Sequence, residues 1–155
     1  MMEENLLVIK IRKAVRDDAE ALCLLLRDLF LIETDFIPDA AKQRKGLEML
    51  IGGMTGGVIF AAESGSEIAG MVNLQKIVST AAGGYSVLLE DLYVKPEYRN
   101  SGIGSKLIDR AVQWGKQEGA LRIQLAADLR NRPAISFYSE RGFHISNMVL
   151  HYKVL

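Results

Sequence analysis

The spacing of hydrophobic positions changes several times along the chain, and each change marks an element. Residues 6–13 are rich in apolar and β-branched side chains and predict a strand. Asp17 or Asp18 then stands where a helix cap belongs. Ala21, Leu22, Leu25, Leu26 and Leu29 fall on one stripe of a helix running to about Ile32. Residues 34–39 break that pattern, and Pro38 prevents a smooth continuation. A second, more polar helix is predicted over 40–51, and Gly52, Gly53, Gly56 and Gly57 form a flexible turn around its end. Residues 58–63 and 68–77 predict two strands joined by Ser64-Gly65-Ser66-Glu67, a hairpin signal. A small-residue turn at 79–84 leads to a long strand at 85–94. Residues 103–118 predict an amphipathic helix with Ile103, Leu107 and Ala111 inward and Trp114 as a further candidate for that face. A strand at 121–126 and a short helix at 133–141 follow, with Gly142 placed as a left-handed cap. Residues 143–155 predict one or two final strands.

This order predicts a mixed α/β (α+β) fold: a mostly antiparallel sheet entered first, then a β-α-β crossover around the long helix. No repeat, low-complexity tract or linker interrupts it, so residues 1–155 are expected to form a single domain. With 49% hydrophobic residues, a chain of 155 can bury a substantial core. Nineteen basic residues balance nineteen acidic ones, which gives no support to a nucleic-acid partner. A local basic patch built from Arg99, Lys106, Arg110, Arg130 and Arg132 stays compatible with that balance.

Cys23 has no partner for an internal disulfide and stands in an apolar run, so it is expected to be a small buried hydrophobe. The acidic N-terminus lacks a signal-peptide pattern, and the apolar stretch 21–26 is too short for a bilayer. A cytoplasmic protein without a membrane partner is the expectation. His144 and His151 have no cluster at metal-ligand spacing, so no metal site is expected. A phosphate loop of the GxxxxGK[ST] type and a Gly-x-Ser-x-Gly nucleophile elbow are both absent from the sequence.

The chemistry concentrates in the stretch that leaves the apolar strand end Leu92-Tyr93-Val94. Arg99, Asn100, Ser101, Gly102, Ile103, Gly104 and Ser105 form the junction between that strand and the long helix. A helix start has unpaired N–H groups and a partial positive charge. Gly102 and Gly104 present no side chain to an incoming anion, and Arg99 adds a permanent charge. That combination suits a phosphate or diphosphate. A plain strand-to-helix turn with glycines for tight packing is the competing reading.

The order Arg-x-x-Gly-x-Gly after an apolar strand resembles the acyl-CoA-binding motif of the GNAT N-acetyltransferase superfamily. Downstream, Asn131, Ala134, Phe137, Tyr138, Gly142 and Phe143 match that family's segment N-x-x-A-x-x-F-Y-x-x-x-G-F. The resemblance covers about the last two-thirds of the chain. It implies a mixed, mostly antiparallel central sheet of six to seven strands flanked by about four helices, with two central strands splayed apart. It also implies acetyl-CoA as cofactor, bound in that gap with its pantetheine arm paired to the strand edge at Leu92, Tyr93 and Val94.

The resemblance further implies transfer of an acetyl group to a small-molecule amine or a peptide amine by direct attack in a ternary complex. The same motifs would serve a CoA-binding module without turnover, or transfer of a different acyl group. Tyr138 matches the tyrosine that donates a proton to the CoA sulfur, with aromatic packing as its alternative. Asn131 matches a pantetheine ligand, with a helix N-cap as an alternative that can hold at the same time. A backbone N–H near Tyr93 or Val94 would stabilise the oxyanion. Family members often pair through their C-terminal strands, so a homodimer through 143–155 is implied.

For the base, period-two alternation sets Glu90 on the face of Leu88 and Leu92. An acid on an apolar strand is costly unless paired, hydrated or functional, and burial would raise its pKa. Pairing with an arginine is the alternative. Asp91 points to the opposite face of a regular strand, and a bulge, frequent in the family, would exchange the two. Glu33, Asp35 and Asp39 are candidates for attracting a cationic amine and Phe36 for lining a pocket, against simple capping and solvation. Tyr85 and Tyr93 face either the acceptor cleft or the core.

Overall fold

The computed structural model describes residues 8–155. Leu6 and Leu7 of the first predicted strand, and the first seven positions of the acidic N-terminus, lie outside the described residues. Nine elements follow in order: β1 (Ile9–Lys13), α1 (Ala19–Ile32), α2 (Ala40–Ile51), β2 (Val58–Ser64), β3 (Glu67–Ser79), β4 (Gly84–Val94), α3 (Ile103–Gln117), β5 (Ala120–Leu125) and α4 (Arg132–Ser139). The chain divides into two units, Met1–Gln124 and Leu125–Leu155.

In the first unit the strands form one open sheet in the order β1-β2-β3-β4-β5. The first three pairings are antiparallel, as short hairpin connections require. The helical crossover α3 between the neighbours β4 and β5 makes the sheet mixed. The leucine stripe of α1, with Leu47 of α2, packs on the face that carries Ile59, Ala61, Met71 and Tyr93. On the opposite face α3 buries Ile103, Leu107, Ile108, Ala111 and Trp114. There the Arg110 guanidinium lies 4.3 Å above the Phe60 ring. Gly70 permits that approach, because a Cβ there would meet the Tyr93 carbonyl oxygen at 2.9 Å and Leu107 at 3.4 Å.

Asp18 occupies the N-cap position of α1, but its carboxylate does not cap the helix. It accepts from the Val15 N–H and from Arg12, which also donates to Glu63 at 2.6 Å. A charge buried this far needs such partners. Asp39 is a true cap of α2, accepting from the N–H groups of Ala41 and Lys42. Gln43 returns a bond to the Asp39 N–H and donates to the Cys23 carbonyl, tying α2 to α1. These contacts hold a helix that is otherwise mostly polar.

In the second unit, Asn131 caps α4 by accepting from the Ala134 N–H at 3.2 Å. The helix closes with Arg141 and Phe143 N–H groups both donating to the Tyr138 carbonyl, and Gly142 turns left-handed at φ 83°.

The five strands among the described residues correct the expected six to seven, because residues 144–155 join no backbone ladder. The apolar side chains that suggested strands there, Ile145, Val149 and Val154 among them, are exposed. β-propensity becomes a strand only where a neighbouring edge supplies hydrogen bonds.

Candidate active site

The β3–β4 ladder is regular except at one point. Asn73 pairs with Asp91 and Leu74 with Leu89, which leaves Glu90 as an extra residue on β4. Such a bulge shifts the facing of the strand by one residue. Leu88 and Leu92 therefore lie on opposite faces, which corrects the shared face expected for Leu88, Glu90 and Leu92. Glu90 is exposed, while Asp91 turns toward the face of Met71 and Tyr93, under α1.

Burial pushes the Asp91 carboxyl up from 3.8 to about 7, helped by the negative charges of Glu90 and Glu33. Its partner is the Asn73 side chain, whose Nδ2–H donates to Asp91 Oδ2 at 2.5 Å. A neutral amide is a weak counterweight to lost hydration. Asn73 itself is only 4% exposed. Its Oδ1 is a buried acceptor without a hydrogen-bond partner. Sequence reasoning did not single out Asn73. The available signal was a lone amide in the apolar run Met71-Val72-Asn73-Leu74, which on a central strand needs a partner.

Glu33, at the C-terminal end of α1, contributes to the field at Asp91. Asp39 serves as the α2 cap, and Asp35 is exposed. Phe36 is half-exposed and packs on Phe30 with ring centroids 5.4 Å apart. Tyr93 is a core residue whose phenol is held high mainly by burial. Tyr85 is largely exposed under the Lys76 ammonium, 4.4 Å from its ring centre. Burial also raises the Cys23 thiol, which suits a core position better than a nucleophile.

β4 runs from Asp91 through Leu92, Tyr93 and Val94 into the junction. There a single helical turn, Pro96–Tyr98, precedes Arg99. Lys95 pairs with Glu67, and the Tyr98 hydroxyl donates to the same carboxylate at 2.7 Å. Ser101 Oγ donates to the Tyr98 carbonyl. Asn100 and Gly102 both take positive φ, 59° and 82°. The braced loop thus enters α3 through two left-handed residues, a backbone feature of turns that make anion-binding concavities.

The first helical bond runs from the Lys106 N–H to the Gly102 carbonyl, so the amides of Ile103 and Gly104 stand at the helix's open start. A Cβ at Gly102 would meet nothing within 4 Å, so open space fronts that start. Arg99 is exposed but folds back: its Nε donates to the Val94 carbonyl at 2.9 Å, with its guanidinium carbon 5.3 Å from the Tyr93 ring centre.

In the second unit, Phe137 and Tyr138 pack edge-on at 5.4 Å, and Tyr138 meets Phe143 at 5.7 Å. The Arg141 guanidinium covers Phe137 at 3.6 Å. This small cluster fixes the orientation of the tyrosine ring on a short helix. Asn131 is committed through Oδ1 to its capping bond. Among the described residues, no group of three His, Cys, Asp or Glu side chains has a metal-binding arrangement. None of their helices is long and apolar enough to cross a membrane.

Comparison with known proteins bears on the family and the fold. Residues 24–143 match the model of the acetyltransferase (GNAT) family. The chain is 32% identical over 95 residues to the uncharacterized N-acetyltransferase YhfO of Bacillus subtilis, covering 61% of this chain and 64% of that protein. It is 41% identical over 59 residues to thialysine N-epsilon-acetyltransferase of Sus scrofa, covering 38% of this chain and 35% of the enzyme. Each match thus spans less than two thirds of the relative's length. The fold superposes on the aminoglycoside N-acetyltransferase AAC(6')-Iy, solved in complex with CoA, with TM-score 0.81, 18% identity and 95% of each chain covered. The matched segment takes in the glycine turn, the bulged strand and the Asn-to-Phe helix alike, and the chain belongs to the GNAT acetyltransferase family.

Proposed function

We propose that this chain transfers an acetyl group from acetyl-CoA to a primary amine that is cationic at neutral pH, by direct attack in a ternary complex. The observation that carries the reading is the half-buried Asp91 carboxyl, desolvated enough to be held at about 7 on the strand that leads into the glycine turn. An ammonium must lose a proton before its nitrogen can attack, and a carboxyl near neutrality is matched to that task. Glu33 and Glu90 make the surroundings of Asp91 anionic, which favours a cationic acceptor. Thialysine and aminoglycosides, named for two of the similar proteins, are acceptors of that kind.

The junction suits CoA because Gly102 opens onto free space and no side chain of the cap residue bonds to the α3 start. Arg99, Asn100, Ser101, Gly102, Ile103, Gly104 and Ser105 would hold the diphosphate. The edge at Leu92, Tyr93 and Val94 would pair with the pantetheine arm, and in the second unit Asn131, Ala134 and Phe137 match the family motif that implies contact with CoA. When bound, acetyl-CoA supplies a thioester carbon at which the C–N bond forms as the C–S bond breaks, the electron pair leaving on sulfur. The Tyr138 phenol holds the proton that the sulfur takes. In this proposal Asp91 receives the amine's proton, the task the alternation pattern gave Glu90. Exposed Glu90 instead acts on Asp91 through its charge.

The proposal treats residues 1–155 as one catalytic domain, since the family match runs across both units. It sets the enzyme in the cytoplasm, where the lone Cys23 stays reduced. Two copies would pair through the exposed apolar side chains of 145–155.

Calorimetry with CoA and thiol release with a panel of amines test it. Binding with turnover on diamines is the expected result, and no heat of association with CoA would end the transferase reading. Asp91→Asn should abolish the acidic limb of the rate profile. Glu90→Gln should move that limb to lower pH, because it removes a like charge. Loss of the limb in Glu90→Gln alone would return the base to Glu90.

A further inference from the structure

We propose that Asn73 is a positioning residue for the proton on Asp91, a hydrogen-bond partner that serves either protonation state by reversing its amide. The proposal rests on the reading of Asp91 as the proton acceptor. Its basis is geometric. The Asn73 Nδ2–H group donates to Asp91 Oδ2, while the other end of the amide, Oδ1, is buried and has no partner. Nothing holds that second end. Half a turn about the last side-chain bond exchanges two ends of nearly equal size and breaks no bond but the one to Asp91.

The two orientations match the two states of the carboxyl. An ionised Asp91 only accepts, and Nδ2–H facing it donates. A protonated Asp91 donates, and Oδ1 facing it accepts. A protonated Asp91 keeps an oxygen that still accepts, but its new O–H would find no acceptor in a partner restricted to donating, and a desolvated donor left unpaired is costly. With Asn73 the bond is kept on both sides of the transfer. The step itself balances simply. One proton passes from the acceptor's ammonium nitrogen to an Asp91 oxygen, the N–H electron pair stays on nitrogen as the attacking lone pair, and Asp91 later releases the proton to solvent. The charged groups acting on Asp91 are Glu90 on its own strand and Glu33 from α1, and both favour the protonated state. From β3 the neutral Asn73 faces it.

The test uses the full chain with acetyl-CoA and 1,5-diaminopentane, following kcat/KM from about pH 5.5 to about pH 9. Asn73→Leu removes the amide at similar volume. It should lower kcat roughly tenfold to a hundredfold, in line with a lost hydrogen bond to a charged group. It should also move the acidic limb upward, since the ionised state loses its donor. The KM for acetyl-CoA should change by less than about twofold, because no substrate contact is removed. Asn73→Thr supplies a hydroxyl that donates or accepts, and should restore most of the rate and bring the limb back. An unmoved limb in Asn73→Leu, or no recovery in Asn73→Thr, would overturn the proposal.

A second measurement needs no turnover and does not rely on the Asn73 variants. In the wild-type chain the Asn73 side-chain amide resonances should titrate with Asp91, and that pH dependence should vanish in Asp91→Asn. Resonances that ignore the titration would refute the pairing while leaving the transferase reading intact. An amide that titrates in a chain inert toward every amine would uphold the pairing and end the transferase reading.

Discussion

Replacing Asp91 by asparagine should make the stability of this protein less dependent on pH, and the size of the effect follows from its burial. The folded chain holds the carboxyl at about 7, against 3.8 for the ordinary group. Between those values the folded state binds more protons than the unfolded state, so stability falls as pH rises through that window. It is fully present below the lower value and lost as pH passes the upper one. A gap of roughly three pH units at about 1.4 kcal/mol each has a ceiling of about 4 kcal/mol. Asp91→Asn keeps the side-chain shape and a bond to Asn73, and never ionises. At about pH 8 the variant should therefore melt higher than wild type, by roughly 10 °C at that ceiling for a chain of this size. At about pH 3, below the lower value, Asp91 is largely neutral in both states and the midpoints should nearly coincide. Thermal and urea unfolding of both proteins at the two pH values give the comparison. An offset that is the same at both would mean that Asp91 ionises in the folded chain as readily as in the unfolded one, and the reasoning would fail.

Gly102→Ala adds one methyl group to a residue at φ 82°. The left-handed backbone costs an alanine roughly 1–2 kcal/mol, so the turn should relax and CoA affinity should fall about tenfold, read by calorimetry. Nothing lies within 4 Å of that methyl, so an unchanged affinity would detach the amides around Gly102 from CoA binding. Tyr138→Phe keeps the packing on Phe137 and Phe143 while removing the phenol. It should cut turnover at least about tenfold with CoA binding unchanged, and full activity would deny the phenol a role in protonating sulfur.

Much of the fold was legible because it depends on local chemistry. The α1 stripe buries Leu22, Leu25, Leu26 and Leu29, as the helical period requires. Asp39 and Asn131 cap their helices as their side chains permit, and the hairpin turns at Gly65 with φ 60°. The glycine junction was equally visible, since Gly102 adopts a backbone few other residues tolerate. The carboxyl that turns inward was not legible by alternation. Glu90 and Asp91 are neighbours, and which one faces α1 depends on where β3 and β4 slip by a residue. Asp18 was visible as a cap, yet Arg12 and the Val15 amide take its carboxylate.

The identity of each element, the turn that opens α3 and the composition of the two motifs were thus settled by the order of residues alone, through forces that act over a few positions. Register is different in kind. The bulge at Glu90, the meeting of Asn73 with Asp91, and the failure of 144–155 to become strands all turn on which backbone lies beside which. Those pairings join residues far apart along the chain, and only the assembled sheet can determine them.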